Sequence, residues 1–228
     1  MLQSATINEL RLGKVIPRFT FQSAIDKHRV DRCQVTPAGL VGDEQAEPFH
    51  GGPDRALLQF DTQHYASLAA RFPESAKRFV PGSFGENLVV AGMSEATMCI
   101  GDRVQAGSAV LEVAQPRLPC LKLNYQFREP ELSRYVQDHG MVGWLYRVLE
   151  TGVIAEGDTI AVIERPYPQW TLDRVQYYLN IELENREIMA QLLQLEPLAE
   201  AIKKVFRKRL ETGQVEDWSS RLSDNNRS

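Results

Sequence analysis

Short apolar segments separated by glycine turns fill the chain from about residue 30 to residue 164. Runs of roughly four to eight aliphatic and β-branched residues, bounded by glycine, asparagine or aspartate, are typical of β-strands. The pattern predicts strands over residues 56–60, 87–90, 103–106, 109–114, 145–149 and 159–163. Many short strands with glycines between them indicate a barrel or a sandwich, so we expect a mainly β protein.

Two predicted helices interrupt these strands. Asp61 or Thr62 can cap a helix that ends before Pro73. A second helix can begin at Pro130 and end at Gly140, because proline suits the first turn of a helix and glycine suits its end. We expect both helices to cover the openings of a barrel.

The hydrophobic period changes from two to that of a helix after residues 165–168, an Arg-Pro-Tyr-Pro segment that we interpret as a linker. Gly213 ends the last of three helices predicted in this part of the chain. These helices span residues 171–179, 185–195 and 197–211. The sequence therefore predicts a barrel domain over residues 1–165 and a small three-helix domain over residues 166–228.

The 228 residues carry a formal net charge of −4, which gives no overall attraction to nucleic acid. We therefore do not expect a nucleic-acid polymer as a partner, and any anionic ligand must be met by local arginine and lysine residues. The third predicted helix carries a basic run that is either a solvated face or a docking surface for an acidic partner. That run consists of Lys203, Lys204, Arg207, Lys208 and Arg209.

The three cysteines, Cys33, Cys99 and Cys120, are far apart and form no C-x-x-C pair. This spacing indicates neither a disulfide framework nor a zinc ribbon, and it fits a reducing cytoplasm. The first ten residues lack the basic and apolar regions of a signal peptide, and charges interrupt every apolar run. We therefore expect a cytoplasmic protein without a membrane partner.

Cys120 follows a predicted strand directly, in the sequence AQPRLPCLK at residues 114–122. Two prolines before it restrict where the sulfur can point, and Arg117 and Lys122 supply positive charge that favours thiolate over thiol. A thiolate is a strong nucleophile and a soft metal ligand. Local chemistry alone leaves open the alternative that Cys120 is a small buried residue of the core.

Two glycine-rich loops also precede predicted strands. In the first, residues 50–55, His50 can donate a proton and Arg55 can pair with a phosphate. In the second, residues 82–87, Asn87 suits recognition of an amide-bearing heterocycle such as a pterin. Each loop is equally compatible with an ordinary turn, since neither matches a P-loop or a dinucleotide fingerprint. The candidate binding residues of the two loops are Gly51, Gly52, Arg55, Ser83, Phe84, Gly85, Glu86 and Asn87.

A cysteine hydrolase is the natural competitor, because a cysteine with a histidine and an asparagine or aspartate forms a catalytic triad. The chain contains four histidines but no local cysteine-protease signature. We therefore disfavour this alternative.

Four motifs taken in order resemble the MOSC domain, the module named after the C-terminal part of molybdenum cofactor sulfurases. They are HGGPDRA at residues 50–56, GSFGENL at 82–88, IGD at 100–102, and PRLPC with Lys122 at 116–122. The three helices predicted after the barrel resemble the bacterial YiiM-type proteins of that family, so the resemblance spans nearly the whole chain. It implies a MOSC-type β-barrel with a few covering helices, followed by a small α-helical domain.

The resemblance further implies that the barrel binds the molybdenum cofactor, a pyranopterin dithiolene with a terminal phosphate. Cys120 matches the family's cysteine and would be the molybdenum ligand. Enzymes of this group reduce N-hydroxylated compounds, such as 6-hydroxylaminopurine, to amines. On this basis we assign Cys120 and His50 as catalytic residues, with His50 as a proton donor or oxo contact. Arg55, Arg117 and Lys122 would neutralise the cofactor phosphate.

An external electron donor is also implied, since the sequence has no Rossmann fingerprint, flavin motif or iron–sulfur cysteine set. We expect a flavin reductase or a ferredoxin-like protein. The sequence leaves the physiological substrate, the donor and the oligomeric state open, a homodimer included.

Two alternative functions stay open. One is a cofactor-binding or sulfur-carrier module whose cysteine relays a persulfide. The chain lacks the fused desulfurase domain of cofactor sulfurases, which disfavours that role, and pyridoxal phosphate binding is not expected. The other is a non-catalytic barrel that binds a pterin or a nucleobase.

Overall fold

The computed structural model describes residues 2–47 and 51–223. The thirteen strands of the described residues all lie before residue 165. The strands are β1 (Ser4–Gly13), β2 (Ile16–Arg18), β3 (Phe21–Ser23), β4 (Lys27–Val30), β5 (Arg32–Thr36), β6 (Gly39–Leu40), β7 (Leu57–Asp61), β8 (Leu88–Val90), β9 (Arg103–Ala106), β10 (Ala109–Pro116), β11 (Trp144–Glu150), β12 (Gly152–Ala155) and β13 (Thr159–Glu164).

Helices lie between the later strands and dominate the last third. They are α1 (Gln63–Arg71), α2 (Lys122–Phe127), α3 (Leu132–Asp138), α4 (Leu172–Asn180), α5 (Arg186–Leu193), α6 (Glu200–Thr212) and α7 (Ser219–Leu222). Short 3₁₀ helices cover Pro53–Arg55 and Pro73–Arg78. In the part of the chain that the structure describes, no helix has the length and apolar character needed to cross a membrane.

Seven strands close into a barrel in the order β13, β9, β10, β11, β7, β8 and β1, and the pairing of β1 with β13 completes the ring. β7 and β8 run parallel, whereas the other pairs in the ring are antiparallel. β4 pairs with the other end of β1, and β12, β5 and β6 form a separate small sheet. The mainly β barrel predicted from the glycine-punctuated pattern is confirmed.

All six predicted strands are present, with ends that differ by no more than two residues. β1 was missed because its buried residues do not alternate. Ile7 and Leu10 are both fully buried, and the register with β8 shifts between Ile7 and Glu9. At this bulge β1 has one extra residue between two consecutive pairing positions of β8. The buried side chains on either side of it therefore do not follow a period of two.

The helices predicted between the barrel strands and after the barrel are also present. α1 ends at Arg71, and Asp61 Oδ1 accepts the backbone N–H of Gln63 at 3.0 Å, which satisfies one of the free donors at the helix start. α6 ends at Gly213, which adopts a left-handed conformation with φ of 68°. α2 and α7 are too short to show a helical period, and the sequence analysis did not predict them.

The C-terminal helices and the barrel share one hydrophobic core. Trp170, Leu198 and Phe206 belong to the same buried cluster as Val113 and Tyr146 of the barrel. The boundary at residues 165 and 166 stays a prediction, and the segment proposed as a linker is firmly held. Its Arg165 donates to both carboxylate oxygens of the fully buried Asp102, at 2.8 and 2.6 Å.

Arg209 corrects the prediction for the basic run of the third C-terminal helix. The run was interpreted as a solvated or docking face, yet Arg209 is only 2% exposed. Its guanidinium donates to Glu216 Oε2 at 2.8 Å and to the Leu179 carbonyl at 2.9 Å. Burial of an arginine requires such partners. Arg209 therefore links α6 to α4 and to Glu216, which follows α6, rather than facing solvent.

His64 makes stability depend on pH. Glu95 accepts the backbone N–H groups of Val142 and Gly143 through Oε1 and contacts His64 Nε2 at 2.9 Å through Oε2. Burial opposes charging of His64, but the hydrogen bond to Glu95 and the charges of Glu95 and Asp61 outweigh it and raise the His64 pKa. The stabilisation from protonated His64 is therefore complete below its unfolded pKa and is lost as the pH rises through the folded pKa.

We expect the free energy of unfolding of the wild type to fall as the pH rises from the unfolded histidine pKa through the raised folded pKa, and we expect this contribution to the slope to vanish in His64→Gln. Urea unfolding across this range measures both. An identical pH slope in the two proteins would show that His64 is uncharged when folded.

Candidate functional site

Cys120 lies where β10 leaves the barrel. All eight residues of β10 are buried, and the chain then passes through Arg117 and Pro119 to Cys120, just before α2 begins. The Cys120 carbonyl accepts the Ser133 hydroxyl at 2.6 Å and the Leu123 N–H at 3.0 Å. The backbone around the cysteine is thus fixed from α2 and α3, while the cysteine is free and partly exposed.

The cysteine faces a pocket of about 150 Å³ at this end of the barrel. The wall is built from the end of β10, the turn after β3, residues 43–46, and the glycine loop before β8. Its polar and glycine lining residues are Ser23, Lys27, Asp43, Glu44, Gln45, Arg55, Gly85, Asn87, Gln115, Arg117, Cys120 and Lys122. Four of these side chains are cationic and two are acidic, so the lining has a net positive charge suited to an anion.

Arg117 connects residues 117–121, called the cysteine loop below, to the glycine loop of residues 82–87. Its Nη1 donates to the Phe84 carbonyl at 2.9 Å. Burial lowers the Arg117 pKa, and the negative charges of Cys120 and Glu86 act in the opposite direction. Arg117 is therefore a cation between the Cys120 thiol and the glycine loop. A thiolate or a bound anion there would lower the free-energy cost of burying its charge.

Lys27 and Asp43 form an ion pair in the pocket wall, with side chains 7% and 4% exposed. Burial lowers the Lys27 pKa, whereas Asp43 opposes that shift. Asp43 also accepts the Gly13 N–H at 2.6 Å and the Asn87 side-chain amide at 2.8 Å. This pair was missed because β4, which carries Lys27, has a polar sequence that resembles an exposed turn.

Glu86 holds the glycine loop in shape. Its buried carboxylate accepts the Tyr65 hydroxyl, the Gly82 N–H at 2.6 Å and the Phe84 N–H at 3.1 Å. Burial raises the Glu86 pKa. Gly82 and Gly85 have φ of 86° and 78°, which a side chain would strain. Glu86 is therefore committed to the loop itself, and it does not line the pocket.

Asn87 is also bonded to the protein. Its Oδ1 accepts the Leu58 N–H at 3.0 Å, and its Nδ2 donates to Asp43 and to the Arg11 carbonyl. Asn87 lines the pocket, but its side-chain amide already makes three hydrogen bonds. A pterin contact through this amide stays a prediction.

The structure brings together seven of the predicted site residues. Arg55, Phe84, Gly85, Asn87, Arg117, Cys120 and Lys122 all line the pocket. Gly51, Gly52, Ser83 and Glu86 are not part of the lining, and His50 lies outside the described residues. Lys122 already contacts Glu47 at 2.8 Å, so a ligand phosphate would share or displace that carboxylate.

Gln115 is the pocket residue with an unmet hydrogen bond. It is fully buried, and its Oε1 has no partner among the described residues, while Nε2 donates to the Pro116 carbonyl at 3.3 Å. A buried acceptor without a donor is costly unless a ligand or water supplies one. Gln115 is a polar residue at the end of a mainly apolar strand, which was the signal that could have identified it.

These residues fit the cofactor that the resemblance implies. A molybdenum centre needs a soft anionic donor, which the Cys120 thiol supplies. A terminal phosphate needs cations, and the lining contributes Lys27, Arg55, Arg117 and Lys122. The N–H groups of a pterin need acceptors, and Gln115 Oε1 is a buried acceptor of this kind.

Comparison with known proteins gives two adjoining family matches. Residues 46–161 match the MOSC domain, and residues 170–213 match the YiiM-like, 3-alpha helix domain. The first match ends within β13 and the second covers α4 to α6. Together they include Cys120, the pocket-lining residues from Ala46 onward and the helices packed on the barrel.

Individual relatives agree with these matches. "Protein YiiM" of Escherichia coli (strain K12) is 37% identical over 202 residues, 88% of this chain and 90% of the relative. A protein of Gibberella moniliformis named "Reductase" is 39% identical over 192 residues, 82% of this chain, and this chain spans about a third (34%) of its length. The crystal structure of YiiM from Escherichia coli has a TM-score of 0.84 at 31% identity, covering 96% of this chain and 99% of that one.

Proposed function

The chain belongs to the MOSC domain family, with the YiiM-like three-helix domain after the barrel, and from this premise we propose that it is a molybdenum-cofactor-dependent reductase of N-hydroxylated compounds. Its substrates are hydroxylamino base analogues such as 6-hydroxylaminopurine, which it detoxifies to amines. One observation carries the proposal: a partly exposed cysteine faces a cationic pocket that also contains the unpartnered buried acceptor of Gln115.

Cys120 would hold the metal through its thiolate, and the Arg117 guanidinium lines the same pocket. When bound, the cofactor supplies the two-electron chemistry that removes oxygen from the N–O bond, leaving amine and water once two protons are added. The other residues bind and orient. Lys27, Arg55 and Lys122 offer positive charge to the cofactor phosphate, and Gln115 Oε1 accepts from a ring N–H.

Protons have to be delivered to the reaction. We keep His50 as the proposed donor on the chemistry of imidazole, although it lies outside the described residues.

Electrons would come from a separate protein, a flavin reductase or a ferredoxin-like donor. The sequence contains no motif for a second redox cofactor. The pocket is open at the surface, so reducing equivalents and substrate can reach it from outside.

The test is purification from a host that makes the cofactor, elemental analysis for molybdenum, and an assay with 6-hydroxylaminopurine and a chemical reductant. We expect bound molybdenum and formation of the amine, 6-aminopurine. A Cys33→Ser variant is the matched control, because Cys33 lies outside the pocket lining, and it should behave like the wild type. A molybdenum-loaded protein that leaves the substrate unchanged would contradict the proposed reaction.

A sulfur-carrier role is the second candidate, because Cys120 is partly exposed and could carry a persulfide. The Arg117 guanidinium in the same pocket would stabilise the persulfide anion. Mass spectrometry after exposure to a cysteine desulfurase separates the two functions. An added sulfur on Cys120 would support the relay. An unmodified thiol would exclude it.

A further inference from the structure

The chain beyond α6 returns to the barrel, and its described residues as far as 223 lie beside the cysteine loop. After Gly213 it runs without regular structure to α7, whose start is stabilised by Asp217 accepting the Ser219 N–H at 2.8 Å. Leu222 is 1% exposed, so this side chain anchors α7 to the rest of the protein. This segment, residues 214–222, is called the tail below.

Arg221 of the tail is bonded on both sides of Cys120. Its Nη1 donates to the carbonyl of Pro119, the residue before the cysteine. Its own carbonyl accepts the N–H of Leu121, the residue after the cysteine, at 2.7 Å. One residue of the tail therefore fixes both peptide neighbours of the candidate metal ligand.

Further contacts extend this connection to α2 and α3. Arg221 Nη2 donates to Gln137 Oε1 at 2.5 Å, and Asn124 Nδ2 donates to the Leu222 carbonyl at 2.8 Å. The Arg221 guanidinium also lies over the Trp218 ring, 4.6 Å from its centre. Burial lowers the Arg221 pKa to about 10. The cation is thus held close to the cysteine.

The other end of the tail is tied to the three-helix domain. Glu216 accepts from Arg209 of α6, and the same guanidinium donates to the Leu179 carbonyl of α4. Arg209 and Glu216 are 2% and 13% exposed, so this pair is protected from solvent. The tail is therefore hydrogen-bonded to the three-helix domain at Glu216 and to the cysteine loop at Arg221, and its backbone connects the two.

We propose that Arg221 is a positioning residue for Cys120, and that the tail is a clasp through which the three-helix domain fixes the cysteine loop. Arg221 is not among the residues that line the pocket, so it acts through the loop and not by touching a ligand there. The consequence for catalysis rests on the proposed function. The positioning itself does not, because every contact is made within the chain.

The test compares wild-type protein with Arg221→Gln, in the full-length, metal-free state, by hydrogen exchange and mass spectrometry. We expect exchange in residues 117–124 to quicken by about fivefold or more, and exchange in β10 to be unchanged. Arg207→Gln is the matched control, since Arg207 forms an exposed pair with Glu200 on α6, and it should leave residues 117–124 unchanged. In the loaded enzyme, Arg221→Gln should lower kcat by about tenfold with KM unaltered.

Unchanged exchange at residues 117–124 in Arg221→Gln would overturn the proposal, and so would a uniform increase across the whole chain. If Arg221→Gln does not fold, Gln137→Met is the second variant, because it removes only the group that accepts from Arg221 Nη2. We expect the same local increase in hydrogen exchange at residues 117–124. Because exchange is measured without metal, a failure of the clasp is distinguishable from a failure of the reductase assignment.

Discussion

Replacing Cys120 with serine should remove molybdenum from the protein and lower reduction of the N-hydroxylated substrate by about a hundredfold or more. A serine hydroxyl stays protonated at neutral pH and is a hard donor, whereas the thiolate is the soft anionic donor that a molybdenum centre requires. The fold should be unaffected. Within the described structure the Cys120 sulfur makes no hydrogen bond, and the backbone around it is held by Ser133, Leu123 and Arg221. Metal analysis and steady-state kinetics measure the two effects.

Thermal unfolding of the same preparation checks that the variant is folded. Cys33→Ser is the control for the loss of a thiol as such. The Cys33 sulfur donates to the Val41 carbonyl at 3.2 Å, away from the pocket lining. A Cys120→Ser protein that keeps full metal content and full activity would remove the cysteine from the mechanism.

Replacing Arg117 with methionine should lower the amount of molybdenum retained through purification by about tenfold or more. Methionine keeps much of the apolar stem but loses the charge next to Cys120 and the hydrogen bond to the Phe84 carbonyl. Both losses act on the pocket, because the same guanidinium stabilises an anion at the cysteine and holds the glycine loop. Molybdenum per protein molecule, measured by elemental analysis, gives the effect.

Arg103→Met is the matched control, since Arg103 is 45% exposed and pairs with Glu112 and Glu164 on the outside of the barrel. It should retain molybdenum like the wild type. Equal retention in Arg117→Met would mean that the pocket binds its ligand without this cation. Partial recovery in Arg117→Lys would separate the role of charge from that of the hydrogen bond geometry.

The barrel could be predicted where each strand is regular. β9 has the predicted ends, residues 103 and 106, because its apolar positions alternate and glycine turns flank it. β1 could not be predicted, since it has a bulge and pairs with three different strands along its length. Its register depends on strands that are distant in sequence, and a local sequence pattern cannot identify them.

The candidate site was predictable where one residue carries the chemistry. Cys120 and Arg117 stand out because proline and positive charge surround the thiol within a few positions. Glu86 shows the limit of that reasoning. A carboxylate in a glycine loop suggests a ligand contact, but the structure commits it to the loop's own N–H groups. Sequence cannot tell which donors a buried carboxylate will meet.

Contacts between distant segments were beyond local patterns altogether. Arg221 lies 102 positions from Pro119, whose carbonyl it contacts, and no local sequence pattern indicates that contact. Gln115 is a similar case, since its significance depends on an acceptor left without a partner inside the folded barrel. Both became visible only when hydrogen bonds could be followed through the described structure.

Alkylation of the molybdenum-loaded protein, with each cysteine followed by mass spectrometry, tests most directly whether Cys120 holds the metal. Cys33 is partly exposed and serves as a reference within the same molecule. We predict that iodoacetamide modifies Cys120 readily in the metal-free protein and not in the loaded protein, while the rate at Cys33 is the same in both. Modification of Cys120 at equal rates in the two states, with molybdenum and activity retained, would contradict its assignment as the metal ligand.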